Sequence, residues 1–138
     1  MIRYTDGQEN VTADQLQGFF VGWPHPPSAE THLKILHNSD HVVLAWDDSR
    51  VVGFVNAVSD NTLCAYLPLL EVLPAYQGQG IGKELMQRML ERLKGLYMID
   101  LVCDADLQPF YERFGMRAMS AMIIRDFEHQ NGHETETE

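Results

Sequence analysis

Cysteine, positive charge and long apolar runs are all scarce in this 138-residue chain, and each shortage removes a class of function. Cysteine occurs twice, as Cys64 and Cys103. No disulfide scaffold is available, and both residues lie in apolar, strand-like runs, so buried free thiols in a reducing compartment are expected. Ten Lys and Arg stand against twenty Asp and Glu, for a net charge of −10. Without a basic patch, nucleic acid is not an expected partner. No run approaches the ~20 apolar residues of a membrane span. The opening Met1-Ile2-Arg3-Tyr4-Thr5-Asp6 lacks the apolar region of a secretory leader. A cytoplasmic protein without a membrane partner is expected. Four of the acids fall between Glu128 and Glu138, where apolar residues are almost absent. That stretch, 128–138, reads as an acidic disordered tail behind a single domain at 1–127. A domain of this length buries roughly 70% of its unfolded surface without needing staples.

The chain divides by period and punctuation. Residues 2–5 read as a first strand, and Val11 to Phe20 as a weak helix carrying Leu16, Phe19 and Phe20. Gly22-Trp23-Pro24-His25-Pro26-Pro27 interrupts any regular element. Ser28 is an N-cap for a second short helix with Leu33 and Leu36 on one face. From His41 the period becomes two: Val42 to Trp46, a turn at Asp47-Asp48-Ser49, and Arg50 to Val58 form an antiparallel hairpin. Thr62 to Leu73 is apolar on both phases and reads as a central strand covered on both faces, with a bulge expected at Pro68. Ile81, Leu85, Met89 and Leu93 then recur at spacing four, which makes a helix closed by Gly95. Tyr97 to Cys103 is a fifth strand, parallel to the fourth because a helix joins them. A short helix follows with Pro109 in its first turn and Gly115 as its stop, and Arg117 to Phe127 reads as a last strand or tight pair.

Between the fourth strand and the long helix stands Tyr76-Gln77-Gly78-Gln79-Gly80-Ile81-Gly82-Lys83. Three glycines at alternate positions leave backbone N–H groups unscreened where the positive end of a helix dipole adds to them, which makes an anion cradle. A dinucleotide fingerprint starting at Gly78 would need glycine where Lys83 stands. A nucleoside-triphosphate loop ending at Gly82-Lys83 would need glycine in place of Gln77 and a hydroxyl in place of Glu84. Both of those readings fail on residues.

The stretch resembles the acyl-coenzyme A loop of the GCN5-related N-acetyltransferases, whose Q/R-x-x-G-x-G/A signature is met by Gln77, Gly80 and Gly82. A second family-like stretch lies downstream, from Gln108 through Tyr111 to Met116. The resemblance implies an α/β fold: a mixed, mostly antiparallel sheet, splayed between parallel strands four and five and flanked by helices. It implies acetyl-coenzyme A as co-substrate, its pyrophosphate on the N–H groups of Gln77, Gly78, Gln79, Gly80, Ile81, Gly82 and Lys83. The pantetheine arm would bond the backbone of Leu70 and Val72. Asp104 stands where family members often carry an Asn that bonds the pantetheine, and an ionised Asp can only accept. Tyr111 matches the tyrosine that protonates the leaving thiolate, a role a phenol of pKa near 10 fills without tuning; its other reading is a packing aromatic. The helical pair after strand one would wall the acceptor site with Phe19, Phe20, Trp23 and His25; their other reading is packing. Relatives also imply a homodimer.

For the base, Glu71 is the one carboxylate in the central strand, flanked by Leu69, Leu70, Val72 and Leu73. Desolvation there should raise its pKa towards a useful value. It serves either as the base or as a carboxylate bonding backbone groups at the splay. Tyr66 is a far weaker acid than that task needs. No metal is expected, because His25, His32, His37 and His41 lack a Cys or carboxylate at a recognised ligand spacing. The activity implied is acetyl transfer to a primary amine of a small molecule by direct attack in a ternary complex. A coenzyme A-binding sensor without chemistry, or an acetyltransferase acting on protein lysines or N-termini, are the alternatives.

Overall fold

The computed structural model describes residues 1–7 and 10–133. Five strands form one sheet in chain order: β1 (Ile2–Asp6), β2 (His41–Asp47), β3 (Arg50–Ser59), β4 (Cys64–Val72) and β5 (Met98–Asp100). All neighbours are antiparallel except β4 and β5, which run parallel. The β2–β3 hairpin closes through Asp48 in the left-handed region, at φ 53°. Two helices cover the sheet, α1 (Ala29–His37) and α2 (Ile81–Arg92), and a short α3 (Gln108–Glu112) follows β5.

Neighbouring residues of β3 show how both faces are filled, since successive side chains on a strand point to opposite sides. Phe54 meets Phe19 and His32 on the α1 side, with ring centroids 5.2 and 4.4 Å away. Gly53 faces α2, where an added Cβ would stand 3.1 Å from Leu85 and 3.2 Å from Ile81. Helix α2 therefore sits on the sheet with glycine at its closest approach. Its buried stripe is Ile81, Leu85, Met86 and Met89. Each such side chain contributes about 1.5–3 kcal/mol by leaving water. Ser28 caps α1 through Oγ, which accepts the Thr31 N–H at 3.1 Å.

Several boundaries differ from the expectations above. The stretch 11–20 holds only a 3-10 turn at Ala13–Leu16. Gly18 (φ 96°) and Phe20 (φ 65°) take left-handed backbone, which no helix continues through. The fourth strand is not covered on both faces: Ala65 and Leu67 are buried, but Tyr66 is 40% exposed. The fifth strand is three residues long, because its ladder to β4 ends at Tyr66↔Asp100. Both cysteines are free, yet half-exposed rather than buried. Among the described residues, 117–126 form no strand or pair. The expected tail packs on the domain as far as Gly132. A 3-10 turn spans Phe127–His129, the Gln130 Oε1 accepts the His25 N–H at 2.8 Å, and Gly132 packs against Thr31. Hydrogen bonds hold it there, which a count of apolar residues does not reveal. Residues 134–138 lie outside the described residues.

Candidate active site

The ladder between β4 and β5 joins only Cys64↔Met98, Ala65↔Ile99 and Tyr66↔Asp100. Beyond it the two strands part, and a cleft of about 540 Å³ opens between residues 67–71 and 101–104. Pro68 begins the separation. It lies in a bulge where β3 passes from Asn56 to Val58 while β4 passes from Leu69 to Tyr66. The buried Asn56 repairs the interrupted ladder: its Oδ1 accepts the Leu69 N–H at 3.1 Å and its Nδ2 donates to Ser39 Oγ at 3.0 Å. Sequence reading missed Asn56, although an Asn inside an otherwise apolar strand is a signal that it has a bonding task.

Which backbone groups face the cleft follows from alternation along β4. The Leu69 N–H points towards Asn56 on β3, and the Leu73 N–H donates to the Val52 carbonyl at 2.9 Å, also on β3. Leu70 and Val72 have the opposite parity, so their N–H and C=O groups face the side that β5 has left. The Val72 carbonyl there accepts from Gln77 Nε2 at 3.0 Å. That bond ties the end of β4 to the glycine loop.

The loop follows a 3-10 turn at Pro74–Tyr76 and enters α2 through Gly80 as N-cap. Gly78 and Gly80 have φ of 79° and 84°, values that a side chain strains, and a Cβ on either would meet nothing within 4 Å. Gly82 differs: its missing Cβ would touch Phe110 at 3.6 Å. Among the described residues, no N–H group from 78 to 83 donates to a protein acceptor. A row of free amides at the positive end of a twelve-residue helix, fronted by open space, fits a pyrophosphate.

Tyr111, Asp104 and Glu71 all line the cleft, with Leu107 and Met86 beside them. Burial, with Cys103 second, pushes the Tyr111 phenol up to about 12, so it holds its proton at neutral pH. Glu71 spends both oxygens on backbone: Oε1 accepts the Phe20 N–H at 2.9 Å and Oε2 the Val21 N–H at 3.2 Å. The carboxylate thus fixes the loop after the first turn against the cleft. The lining residues include no Lys, Arg or His.

Of the residues read as an acceptor wall, Trp23 lines the cleft and is 37% exposed. Phe19 and Phe20 do not; both are buried, Phe20 behind Trp23 with ring centroids 4.9 Å apart. His25 is exposed, outside the lining, and tied by its N–H to Gln130. Val21, Leu101, Val102 and Cys103, which the sequence did not single out, complete the walls. Behind Phe20, His32 is buried with neither ring nitrogen partnered among the described residues, and burial lowers its pKa to about 4. No group of three or more His, Cys, Asp or Glu that could hold a metal ion occurs among the described residues. None of their helices is long and apolar enough to cross a membrane.

Comparison with known proteins matches residues 9–116 to the model of the acetyltransferase (GNAT) family. A candidate acetyltransferase of Deinococcus radiodurans R1, solved as a crystal structure, is 47% identical, with a TM-score of 0.93 over 97% of this chain and 94% of that one. The uncharacterized N-acetyltransferase ycf52 of Porphyra purpurea is 28% identical over 81% of this chain and 68% of its own length. The aminoglycoside N-acetyltransferase AAC(6')-Iy, solved in complex with CoA, is 14% identical with a TM-score of 0.65 over 91% of this chain and 94% of that one, a likeness of fold.

Proposed function

We propose that this chain, which belongs to the acetyltransferase (GNAT) family, transfers an acetyl group from acetyl-coenzyme A to the primary amine of a small molecule, both bound together in the β4–β5 cleft. The observation that carries this reading is the row of free N–H groups at 78–83 beside the mouth of the cleft. The bound CoA of the fold relative supports the same choice of donor.

In this reading the thioester supplies an activated acyl carbon, and the chain supplies the rest. The amides from Gly78 to Lys83 hold the pyrophosphate, the Gln77 N–H being already given to the Pro74 carbonyl at 3.3 Å, and the cleft-facing groups of Leu70 and Val72 hold the pantetheine arm. The Val72 N–H also polarises the thioester carbonyl, an electrostatic role that in other enzymes is worth about 3–4 kcal/mol. Asp104 accepts a hydrogen bond from the arm. Glu71 takes a proton from the incoming ammonium, directly or through water, and Tyr111 gives its phenolic proton to the departing thiolate. The products are the amide and free coenzyme A. A cleft lined by two carboxylates, one tryptophan and no basic residue suits a cationic amine. Phe20 acts from behind by seating Trp23. Two free thiols agree with a reducing, cytoplasmic setting.

The test is release of free thiol from acetyl-coenzyme A with panels of small amines, lysine peptides and N-terminal peptides. Turnover with a small amine supports the reading, and turnover with peptides alone moves the acceptor to protein. Coenzyme binding without turnover on any panel, unaffected by Glu71→Gln or Tyr111→Phe, would leave a sensor.

A further inference from the structure

Asn56 is 2% exposed in the middle of β3, where every other residue from Val51 to Ala57 is apolar or glycine. A buried amide carries an acceptor and a donor that both need partners. Here both are served, and in a fixed order. The Asn56 Oδ1 accepts the Leu69 N–H at 3.1 Å, the Nδ2 donates to Ser39 Oγ at 3.0 Å, and Ser39 Oγ donates to the Ile35 carbonyl at 2.8 Å. With its own hydrogen spent on Ile35, Ser39 can only accept from Asn56. A turned-over amide would set its NH₂ against the Leu69 N–H and its oxygen against a hydroxyl with no hydrogen to give. The side chain is therefore locked from both ends.

The lock stands where the register of β4 is least determined. Between the pairs Asn56↔Leu69 and Val58↔Tyr66, β3 has one residue, Ala57, and β4 has two, Leu67 and Pro68. Pro68 has no N–H to give to a ladder. Past it β4 has also lost β5, whose last pair is Tyr66↔Asp100. From Leu69 to Val72 the strand is thus held by β3 alone, directly after a bulge. A slip of one residue exchanges the two sides of a strand. It would turn the Leu69 and Glu71 amides into the cleft in place of Leu70 and Val72. It would also carry the Glu71 carboxylate away from the Phe20 and Val21 N–H groups that it serves.

We propose that Asn56 is a positioning residue: by holding the Leu69 N–H it fixes the register of the half of β4 that borders the cleft, and so decides that the Leu70 and Val72 amides are the ones offered to a donor. It acts from the far side of the strand. Ser39 follows the last turn of α1, so the same run of bonds seats that helix against the bulge. The consequence for turnover rests on the acetyl-transfer reading; the register itself does not.

Amide hydrogen exchange of the full chain, followed by NMR, tests the register, and turnover of acetyl-coenzyme A tests its use. In the wild type the Leu69 and Leu73 amides are expected to exchange slowly and those of Leu70 and Val72 fast, with coenzyme A slowing the latter two. Asn56→Leu keeps the branch at Cγ and removes the acceptor. In that variant the contrast between 69 and 70 is expected to vanish and kcat to fall about 100-fold, the scale of a misplacement near 1 Å. Asn56→Asp still accepts the Leu69 N–H and is expected to restore both. Ser39→Ala strands the Asn56 NH₂ but leaves the bond to Leu69, so it should lower the unfolding temperature and keep both contrast and turnover. Asn56→Val repeats the test if circular dichroism shows Asn56→Leu unfolded. An Asn56→Leu chain that keeps the contrast, or turns over like the wild type, overturns the proposal. So does a folded Asn56→Asp chain as impaired as Asn56→Leu. If coenzyme A slows neither amide while Asn56→Leu still erases the contrast, the donor reading fails and the role of Asn56 in the register stands.

Discussion

Glu71 on β4 holds the backbone N–H of Phe20 at 2.9 Å, joining positions 51 residues apart. With the second bond to Val21 at 3.2 Å, this one carboxylate fixes the loop that carries Trp23 to the strand that would carry the donor. Replacement of Glu71 by Gln leaves one carbonyl oxygen to serve two N–H groups, and turns an amide NH₂ towards the other. A stability loss of about 1–3 kcal/mol is expected from the unserved donor. Turnover should fall about 100-fold or more if Glu71 also takes the ammonium proton, while acetyl-coenzyme A affinity changes little. Denaturant unfolding, turnover and calorimetric titration on one preparation separate the two roles. Equal loss of binding and turnover would make Glu71 purely structural.

Gly80 and Gly95 share a backbone conformation and differ in place. Their φ values are 84° and 100°, and a Cβ on either meets no protein atom within 4 Å. An alanine at each should therefore impose a similar strain, about 1–2 kcal/mol. Only Gly80→Ala puts a methyl group into the space before the free amides. Both variants should unfold at similarly lowered temperatures, and only Gly80→Ala should lose stabilisation by coenzyme A.

His32 makes the fold sensitive to mild acid. Its pKa drops from 6.5 to about 4 on folding, so the unfolded chain binds the extra proton between these values. Stability from this group is complete above pH 6.5 and declines as pH falls towards 4, by about 3 kcal/mol in all. The Asp60 carboxylate, held at about 2 by the N–H groups of Leu63, Thr62 and Cys64, weakens the fold only at lower pH. His32→Phe, packing among Phe19, Phe20 and Phe54, should flatten unfolding free energy across the 4–6.5 window. An unchanged slope there would assign it to other groups.

Gly53 tests the seat of α2. Gly53→Val must displace Leu85 and Ile81, which lie 3.1 and 3.2 Å from the added Cβ. Overpacking of this kind costs about 1–3 kcal/mol. Urea unfolding should show a lowered midpoint with an unchanged slope.

What was legible in the sequence was mostly local. The Ser28 cap, the β2–β3 hairpin and the α2 stripe each depend on residues within a few positions, and each is present. The left-handed glycine turn leading into α2 was legible for the same reason, but the bond from Gln77 to the Val72 carbonyl was not. Pro68 announced a bulge, but not that Asn56 would repair it. The bonds from Glu71 to Phe20 and Val21 cross half the chain, and no spacing rule predicts them. Phe19 and Phe20 looked helical because their period was weighed without the left-handed backbone at Gly18 and Phe20. Residues 117–126 have strand composition, but a strand also needs an edge to pair with, and composition does not supply one.

The most direct measurement is thermal unfolding with acetyl-coenzyme A, desacetylated coenzyme A, NAD and ATP. A ligand at 100 times its dissociation constant stabilises a fold by about 2.7 kcal/mol, a shift of several degrees for a domain of this size. The account predicts that shift with both coenzyme A forms and none with NAD or ATP. No shift with millimolar coenzyme A, or an equal shift with ATP, would contradict it.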